Sequence, residues 1–197
     1  MFRYCRVLKG GSGTLAGGSS ALLNVSYAHI DGGPTNPGYL TADVNSLYAV
    51  LSGGTLTLYN DMYRNAREGR VFDLNTENNA PEWSYWTADI SQVAFDATFA
   101  TAKPTSTFGW FEDCTGLTAI DLSMLNTSEV TNMTYLFFSC SQLETLDLSH
   151  FETSRTTDMS YMFAGCSALK AATPSIKKTK NQDDEDICRG HELCRTQ

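Results

Sequence analysis

The chain has 197 residues, which is enough for one well-formed hydrophobic core or for one modest domain with tails. Its net charge of −8 argues against a nucleic-acid partner, because phosphate binding requires a basic surface. No run approaches the roughly eighteen apolar residues that span a bilayer, so we expect no transmembrane segment.

The first 43 residues are rich in glycine and serine and predict a flexible lead. The opening MFRYCRVLKG is basic but runs into glycine and serine without a hydrophobic region, so we expect no signal peptide. The run GGSGTLAGGSS has neither the pattern G-x-x-x-x-G-K-[ST] nor G-x-G-x-x-G followed by a helix signal. We therefore expect no nucleotide site here, and no cofactor in the chain.

Residues 44–87 predict a β-rich N-terminal cap. The β-prone stretches 46–51 and 55–60 flank Ser-Gly-Gly, which favours a β-hairpin, and 71–74 predicts another strand. Four large aromatic residues are expected to close the open end of the following region as core residues rather than as a ligand platform. They are Trp83, Tyr85, Trp86 and Trp110.

Residues 88–170 contain a repeat with a period of 26. The period relates Phe111 to Phe137 and Cys114 to Cys140, and a third copy begins at Phe163. The cysteines of this region, including Cys166, therefore mark a repeat rather than a disulfide framework. Cysteines in such positions are typically small buried hydrophobic residues.

Each repeat carries the pattern L-x-x-I/L-x-L. Its alternation places Ile120 and Leu122 on one side of a half-buried strand and Asp121 on the other. The segments 133–138 and 159–164 have apolar residues at helix-like spacing, each after a Thr-Asn or Thr-Asp that can cap a helix. We therefore predict a strand and a helical turn in each repeat.

A unit of this size cannot bury its own apolar side, so it must stack on its neighbours. The predicted fold class is an α/β repeat: a short leucine-rich-repeat solenoid over 88–170, with parallel strands and an N-terminal β-hairpin cap. Phe111, Phe137 and Phe163 should form one column and the three repeat cysteines another. Residues 171–197 do not continue the pattern and predict a charged, disordered tail.

The units TGLTAIDLSMLNTSEVTNMTYLFFSC and SQLETLDLSHFETSRTTDMSYMFAGC resemble the 26-residue repeat of the BspA-like leucine-rich repeat family, found in surface proteins of host-associated bacteria. The upstream stretch YAVLSGGTLTLYND is similar to the segment that precedes those repeats, so the resemblance covers roughly 47–169. It implies a right-handed solenoid displayed at or beyond the cell surface, with a role in adhesion and without catalysis.

The outward positions of the predicted strands form the candidate binding surface. They are small and polar, with a column of carboxylates suited to a basic or hydroxyl-rich partner or to a bound cation. The simpler interpretation is that acidic residues keep an exposed sheet soluble and unpaired. The positions are Ala119, Asp121, Ser123, Thr145, Asp147 and Ser149, together with Gln92, Ala94 and Asp96 from the cap side.

The sequence gives little support for catalysis or for a metal site. No serine lies in G-x-S-x-G, and His29, His150 and His191 are scattered. Cys188, His191 and Cys194 have a spacing that offers three zinc ligands, but a fourth is missing, so we expect no zinc.

Together these observations predict a non-enzymatic recognition or adhesion module. Its partner would be a protein or glycan on a host or bacterial surface, contacted through many weak interactions along the repeats. Two alternatives stay open. The repeats could be a structural spacer or stalk that presents another domain, or the chain could be a fragment of an enzyme whose catalytic part is unrecognised. The oligomeric state is also open.

Overall fold

The computed structural model describes residues 46–173, with side chains described through residue 170. These residues all lie in the second of the two units into which the chain divides, Asn45–Gln197. The predictions of a flexible lead over 1–43, of a disordered tail, and for Cys188, His191 and Cys194 fall outside the described residues, apart from the short strand that ends at residue 173.

The described part begins with a β-hairpin. Strand β1 (Ser46–Ser52) pairs antiparallel with β2 (Thr55–Asp61), and Ser52 lies opposite Thr55 at the closed end. The two loop residues, Gly53 and Gly54, have φ of 56° and 82°. A two-residue hairpin loop with positive φ at both positions is the type I′ turn, which glycine adopts without steric cost.

Two more strands extend the hairpin into a mixed four-stranded sheet of order β3-β1-β2-β4. Strand β3 (Arg70–Asp73) runs antiparallel to β1, whereas β4 (Gln92–Phe95) runs parallel to β2. Short 3-10 helices cover Arg64–Ala66, Glu82–Asp89 and Ala97–Thr101. The sheet therefore has two edges, one at β3 and one beside the repeat region.

Aromatic side chains join the sheet to the repeats. Trp83 and Trp110 are fully buried with ring centroids 6.4 Å apart, and Phe99 packs on Trp110 at 6.4 Å. The indole of Trp83 donates to the carbonyl of Trp110 at 2.7 Å, and that of Trp110 donates to Asn75 Oδ1 at 2.7 Å. Both polar indole groups are thus satisfied inside the core. Tyr85 does not belong to this core, because it is 89% exposed.

A buried polar network joins β1 to β2. The hydroxyl of Tyr48 donates to Asp61 Oδ1 at 2.5 Å, and the guanidinium of Arg67 bonds both Tyr48 and Asp61. Burial alone would raise the pKa of Asp61, but hydrogen bonds from Tyr48, the Tyr63 amide and Arg67 outweigh it and hold that pKa below 3.8. Asp61 is therefore ionised and fully paired although only 5% of it is exposed.

Residues 26 positions apart lie side by side in the repeat region. The ring of Phe137 stacks on Phe111 at 5.5 Å and on Phe163 at 5.9 Å, with interplanar angles of 28° and 7°. The Cys140 thiol donates to the carbonyl of Phe111 at 2.9 Å, and the Cys166 thiol donates to that of Phe137 at 2.9 Å. Each cysteine thus ties its own repeat to the one before it.

The strands of the repeats are shorter than the apolar alternation predicts. Strand β5 (Thr145–Asp147) pairs parallel with β6 (Ala171–Thr173), again 26 positions apart. The strand expected at Ile120 is not formed, and the segment is joined to the next repeat by one bond from the Glu144 amide to the Thr118 carbonyl at 3.1 Å. Beside it the Asp121 carboxylate accepts a hydrogen bond from the Ser123 amide at 2.9 Å. This local bond competes with hydrogen bonding between strands.

The helical turns expected over 133–138 and 159–164 are series of tight turns instead. In the first of these segments, amides at alternate positions donate to carbonyls of the following repeat, and most of the amides between them bond three residues back, as Leu136 does to Met133 at 3.2 Å. An α-helix would need all of these amides for bonds within itself. The bonds between repeats run from Met133 to Asp158 at 2.8 Å, Tyr135 to Ser160 at 3.1 Å, Phe137 to Met162 at 3.0 Å and Ser139 to Ala164 at 2.8 Å.

Candidate functional site: a repeat surface

The strand face, defined as the six outward positions of the two repeats, is exposed at every one of them: Ala119, Asp121, Ser123, Thr145, Asp147 and Ser149. Equivalent residues 26 positions apart make equivalent contacts. Asp121 Oδ1 accepts the Ser123 amide at 2.9 Å, and Asp147 Oδ1 accepts the Ser149 amide at 2.8 Å. The same local turn therefore orients both carboxylates, while the apolar neighbours Leu122, Leu146 and Leu148 are buried.

Both carboxylates are stabilised in their charged form. The Ser123 amide, and after it the Ser123 hydroxyl, lowers the pKa of Asp121, while the charge of Asp147 acts weakly in the opposite direction. Asp147 has a lowered pKa for the same reason, with Ser149 as its donor, and the exposed His150 favours the charged form of both. The strand face thus presents negative charge at neutral pH to anything that approaches it.

The cap positions predicted to extend this face are arranged differently. Asp96 lies one residue beyond β4, is half-buried, and uses its carboxylate to accept the amide of Thr98 at 2.9 Å and its hydroxyl at 2.8 Å. It caps the 3-10 helix Ala97–Thr101. Gln92 is exposed and Ala94 is half-buried. All three aspartates therefore accept the amide two residues later, but Asp96 is half-buried and caps a helix, whereas Asp121 and Asp147 are exposed.

A second repeated feature, the turn ladder, was not predicted from the sequence. It consists of the tight turns over 107–113, 133–139 and 159–165, and backbone φ is positive at the same two points of each. Tyr135 and Tyr161 occupy one point, and their rings stack at 5.3 Å with an angle of 23°. The six positive-φ positions are Gly109, Tyr135 and Tyr161 in one column and Asp113, Ser139 and Gly165 in the other.

The sequence did contain a signal for this ladder. Asp113, Ser139 and Gly165 are equivalent positions of the repeat, and glycine and aspartate tolerate positive φ better than most residues. Gly109, equivalent to Tyr135, carries the same signal. The two tyrosines masked it, because a bulky residue rarely adopts this conformation.

Ion pairs also connect equivalent positions of successive repeats. Arg155 bonds Glu129 at 2.6 Å, and Lys170 bonds Glu144 at 3.0 Å. The four side chains are 37–73% exposed, so each pair contributes little to stability and mainly disfavours a shifted alignment of the repeats.

The column of cysteines is not arranged for chemistry. Cys114, Cys140 and Cys166 are buried free thiols, and burial raises the pKa of all three, that of Cys114 and Cys166 to about 12. A thiol held protonated is a poor nucleophile and a poor metal ligand. Within residues 46–173, no group of three or more His, Cys, Asp or Glu side chains is placed to hold a metal ion.

The geometry can be set beside known proteins. The family described as "Mycoplasma protein of unknown function, DUF285" matches residues 92–193, more than half of the chain. The chain belongs to this family. The DUF285 match begins at the first residue of β4 and includes the strand face and the turn ladder. No curated protein and no solved structure matches the chain.

Across the part of the chain that the structure describes, every helix is too short or too polar to cross a lipid bilayer.

Proposed function

We propose that this DUF285 chain is a non-enzymatic recognition module of a bacterial surface protein of the BspA-like leucine-rich repeat type. It would be built as a short right-handed solenoid and would contact protein or glycan on a host or bacterial surface through its strand face. The observation that carries the proposal is the repetition of one exposed carboxylate geometry, at Asp121 and Asp147, in consecutive repeats.

Periodic charge favours a periodic or extended partner. Each carboxylate has one oxygen committed to a backbone amide, which orients the group and leaves its charge free for a donor from outside. Two such groups one repeat apart allow two contacts on one partner, and the second then forms at a high effective concentration. The exposed hydroxyl residues Ser123, Thr145 and Ser149 add donors and acceptors beside them.

The test uses the purified full chain and two probes, a coated extracellular-matrix preparation and fixed bacterial cells. We expect saturable binding to at least one probe, and a loss of about tenfold in affinity for the double variant D121N/D147N. Asparagine keeps the oxygen that accepts the Ser123 and Ser149 amides, so the fold is retained. The exposed carboxylate of Asp89 supplies the matched control, D89N, which should bind as the unmodified chain does.

Two results would contradict the proposal. If D121N/D147N and D89N bind the probe with the same affinity, the strand face does not take part in binding. An absence of binding to both probes would favour a spacer that presents another domain.

A further inference from the structure

The cap carries a second exposed surface, distant in sequence from the repeats. Tyr85 is 89% exposed, the highest value among the large hydrophobic residues of the described chain. Its ring meets that of Trp86 edge-on at 6.1 Å, and Trp86 in turn packs on buried Phe72 at 5.2 Å. A fully exposed aromatic side chain held beside a half-buried one has the composition of a binding hot spot, in which tyrosine, tryptophan and arginine are enriched.

An arginine without a carboxylate partner completes this patch. The guanidinium of Arg70 lies 5.0 Å from the centre of the Trp86 ring, and Arg70 is exposed. Among the arginines of residues 46–173, Arg64, Arg67 and Arg155 each make an ion pair, whereas Arg70 makes none there. In a chain with a net charge of −8, a cation that is oriented by an aromatic ring and left unpaired is complementary to an external anion.

The backbone beside Arg70 belongs to a sheet edge that is only partly covered, since Glu82 bonds it at Asp73. Strand β3 is the last strand of its sheet, and no described strand pairs with its outer side. The amide of Asp73 points outward, since it donates to Glu82 Oε2 at 2.7 Å. Residues two apart on an antiparallel strand point the same way, so the amide and carbonyl of Val71 also point outward, and neither has a partner within the described residues.

We propose that this edge, with Arg70, Trp86 and Tyr85, is a docking site for an extended acidic segment of a partner protein. The segment adds as a strand beside Val71, in the manner of strand addition to an exposed sheet edge. One of its carboxylates pairs with the guanidinium of Arg70, and an apolar neighbour packs on Tyr85 and Trp86. The site lies on β3 and Glu82–Asp89, not on the strand face, so it does not depend on the function proposed above.

The test measures fluorescence anisotropy of a labelled peptide, GTVEVEVTG, with the full chain. A second peptide replaces both glutamates by glutamine, and a third carries N-methyl groups on alternate backbone amides. We expect saturable binding of the first peptide, weakened about tenfold in the glutamine peptide and abolished by N-methylation. R70Q and Y85S should each weaken the first peptide about tenfold, and R70K should have a smaller effect because it retains the charge.

Two matched controls separate this site from others. Lys103 is exposed and also lacks an ion pair within the described residues, so K103Q should bind normally. D121N/D147N should also bind normally, which keeps this result distinct from that of the strand-face experiment. The proposal is wrong if no peptide saturates, if the glutamate and glutamine peptides bind equally, or if R70Q matches K103Q. An oligogalacturonate that binds through Arg70 while the peptides do not would show that the partner is an acidic glycan instead.

Discussion

Replacing phenylalanines of the central column by leucine should show whether stability is carried by contacts between neighbouring repeats. Phe111 and Phe137 are fully buried and Phe163 is 5% exposed, and Phe137 lies between the other two. Phe137→Leu keeps an apolar side chain but removes both stacking contacts, so we expect a loss of about 1–2 kcal/mol in the free energy of unfolding. Phe137→Ala should cost about 3–5 kcal/mol, since it also leaves a cavity.

The decisive quantity is the coupling energy between pairs of substitutions. Phe111 and Phe137 stack at 5.5 Å, so the double variant F111L/F137L should depart from additivity by about 0.5–1 kcal/mol. Phe111 and Phe163 are separated by the intervening ring, so F111L/F163L should be additive within about 0.5 kcal/mol. This difference is expected of a repeat protein in which each unit contacts only its neighbours.

Urea unfolding followed by far-ultraviolet circular dichroism and by tryptophan fluorescence measures these energies. Because Trp83 and Trp110 share one apolar core with the phenylalanine column, the two signals should give the same transition. Equal coupling in the two pairs, or additivity in both, would refute the proposed arrangement of repeats. F137A that unfolds as easily as Y85A, whose side chain is exposed, would refute it too.

Three further predictions concern single groups. Burial raises the pKa of the Cys114 and Cys166 thiols to about 12. In a variant that lacks the three cysteines outside the described residues, these thiols should resist Ellman's reagent at pH 8 until urea is added. Rapid labelling of the folded chain would contradict the raised pKa values. Because the folded pKa lies above the usual 9.0, the free energy of unfolding should also fall as pH rises beyond 9.0. Gly165→Ala should lower the free energy of unfolding in urea by about 1 kcal/mol more than Gly53→Ala does. Both glycines have positive φ, but only Gly165 lies against the neighbouring repeat. Equal losses in the two variants would exclude that contact. Asp61→Asn should cost about 2–3 kcal/mol at pH 7, because it weakens hydrogen bonds to a charged, buried group. The Asp61 pKa is lowered, so its contribution is present above pH 3.8 and lost below it, and a variant with unchanged acid unfolding would contradict this assignment.

Apolar spacing predicted which side chains lie inside but not how the backbone is bonded. The period of 26 placed Phe111, Phe137 and Phe163 in one column, and their rings stack. Ser-Gly-Gly marked the position of the hairpin, where both glycines have positive φ. These features depend on burial and on local sterics, and both are determined by residue type and spacing.

Bonding between repeats could not be predicted in the same way. Met, Tyr and Phe at helix-like spacing also suit a series of turns, because both arrangements bury every third or fourth side chain. The choice depends on whether the amides of 133–139 find acceptors in the next repeat, and alternate ones do. Tyr85 illustrates a related limit, since composition groups it with Trp83 and Trp110, whereas only its exposure separates it from the core.

The turn ladder and the strand face have different roles in the repeat. On the turn ladder, alternate amides from Met133 to Ser139 bond the following repeat, so that backbone fixes the alignment regardless of which side chains point outward. On the strand face, the segment around Asp121 is joined to its neighbour by the single bond between Glu144 and Thr118. Outward residues there can change without loss of bonds between repeats. Freedom to change outward residues on a scaffold held from the other side is what the recognition role proposed above would require.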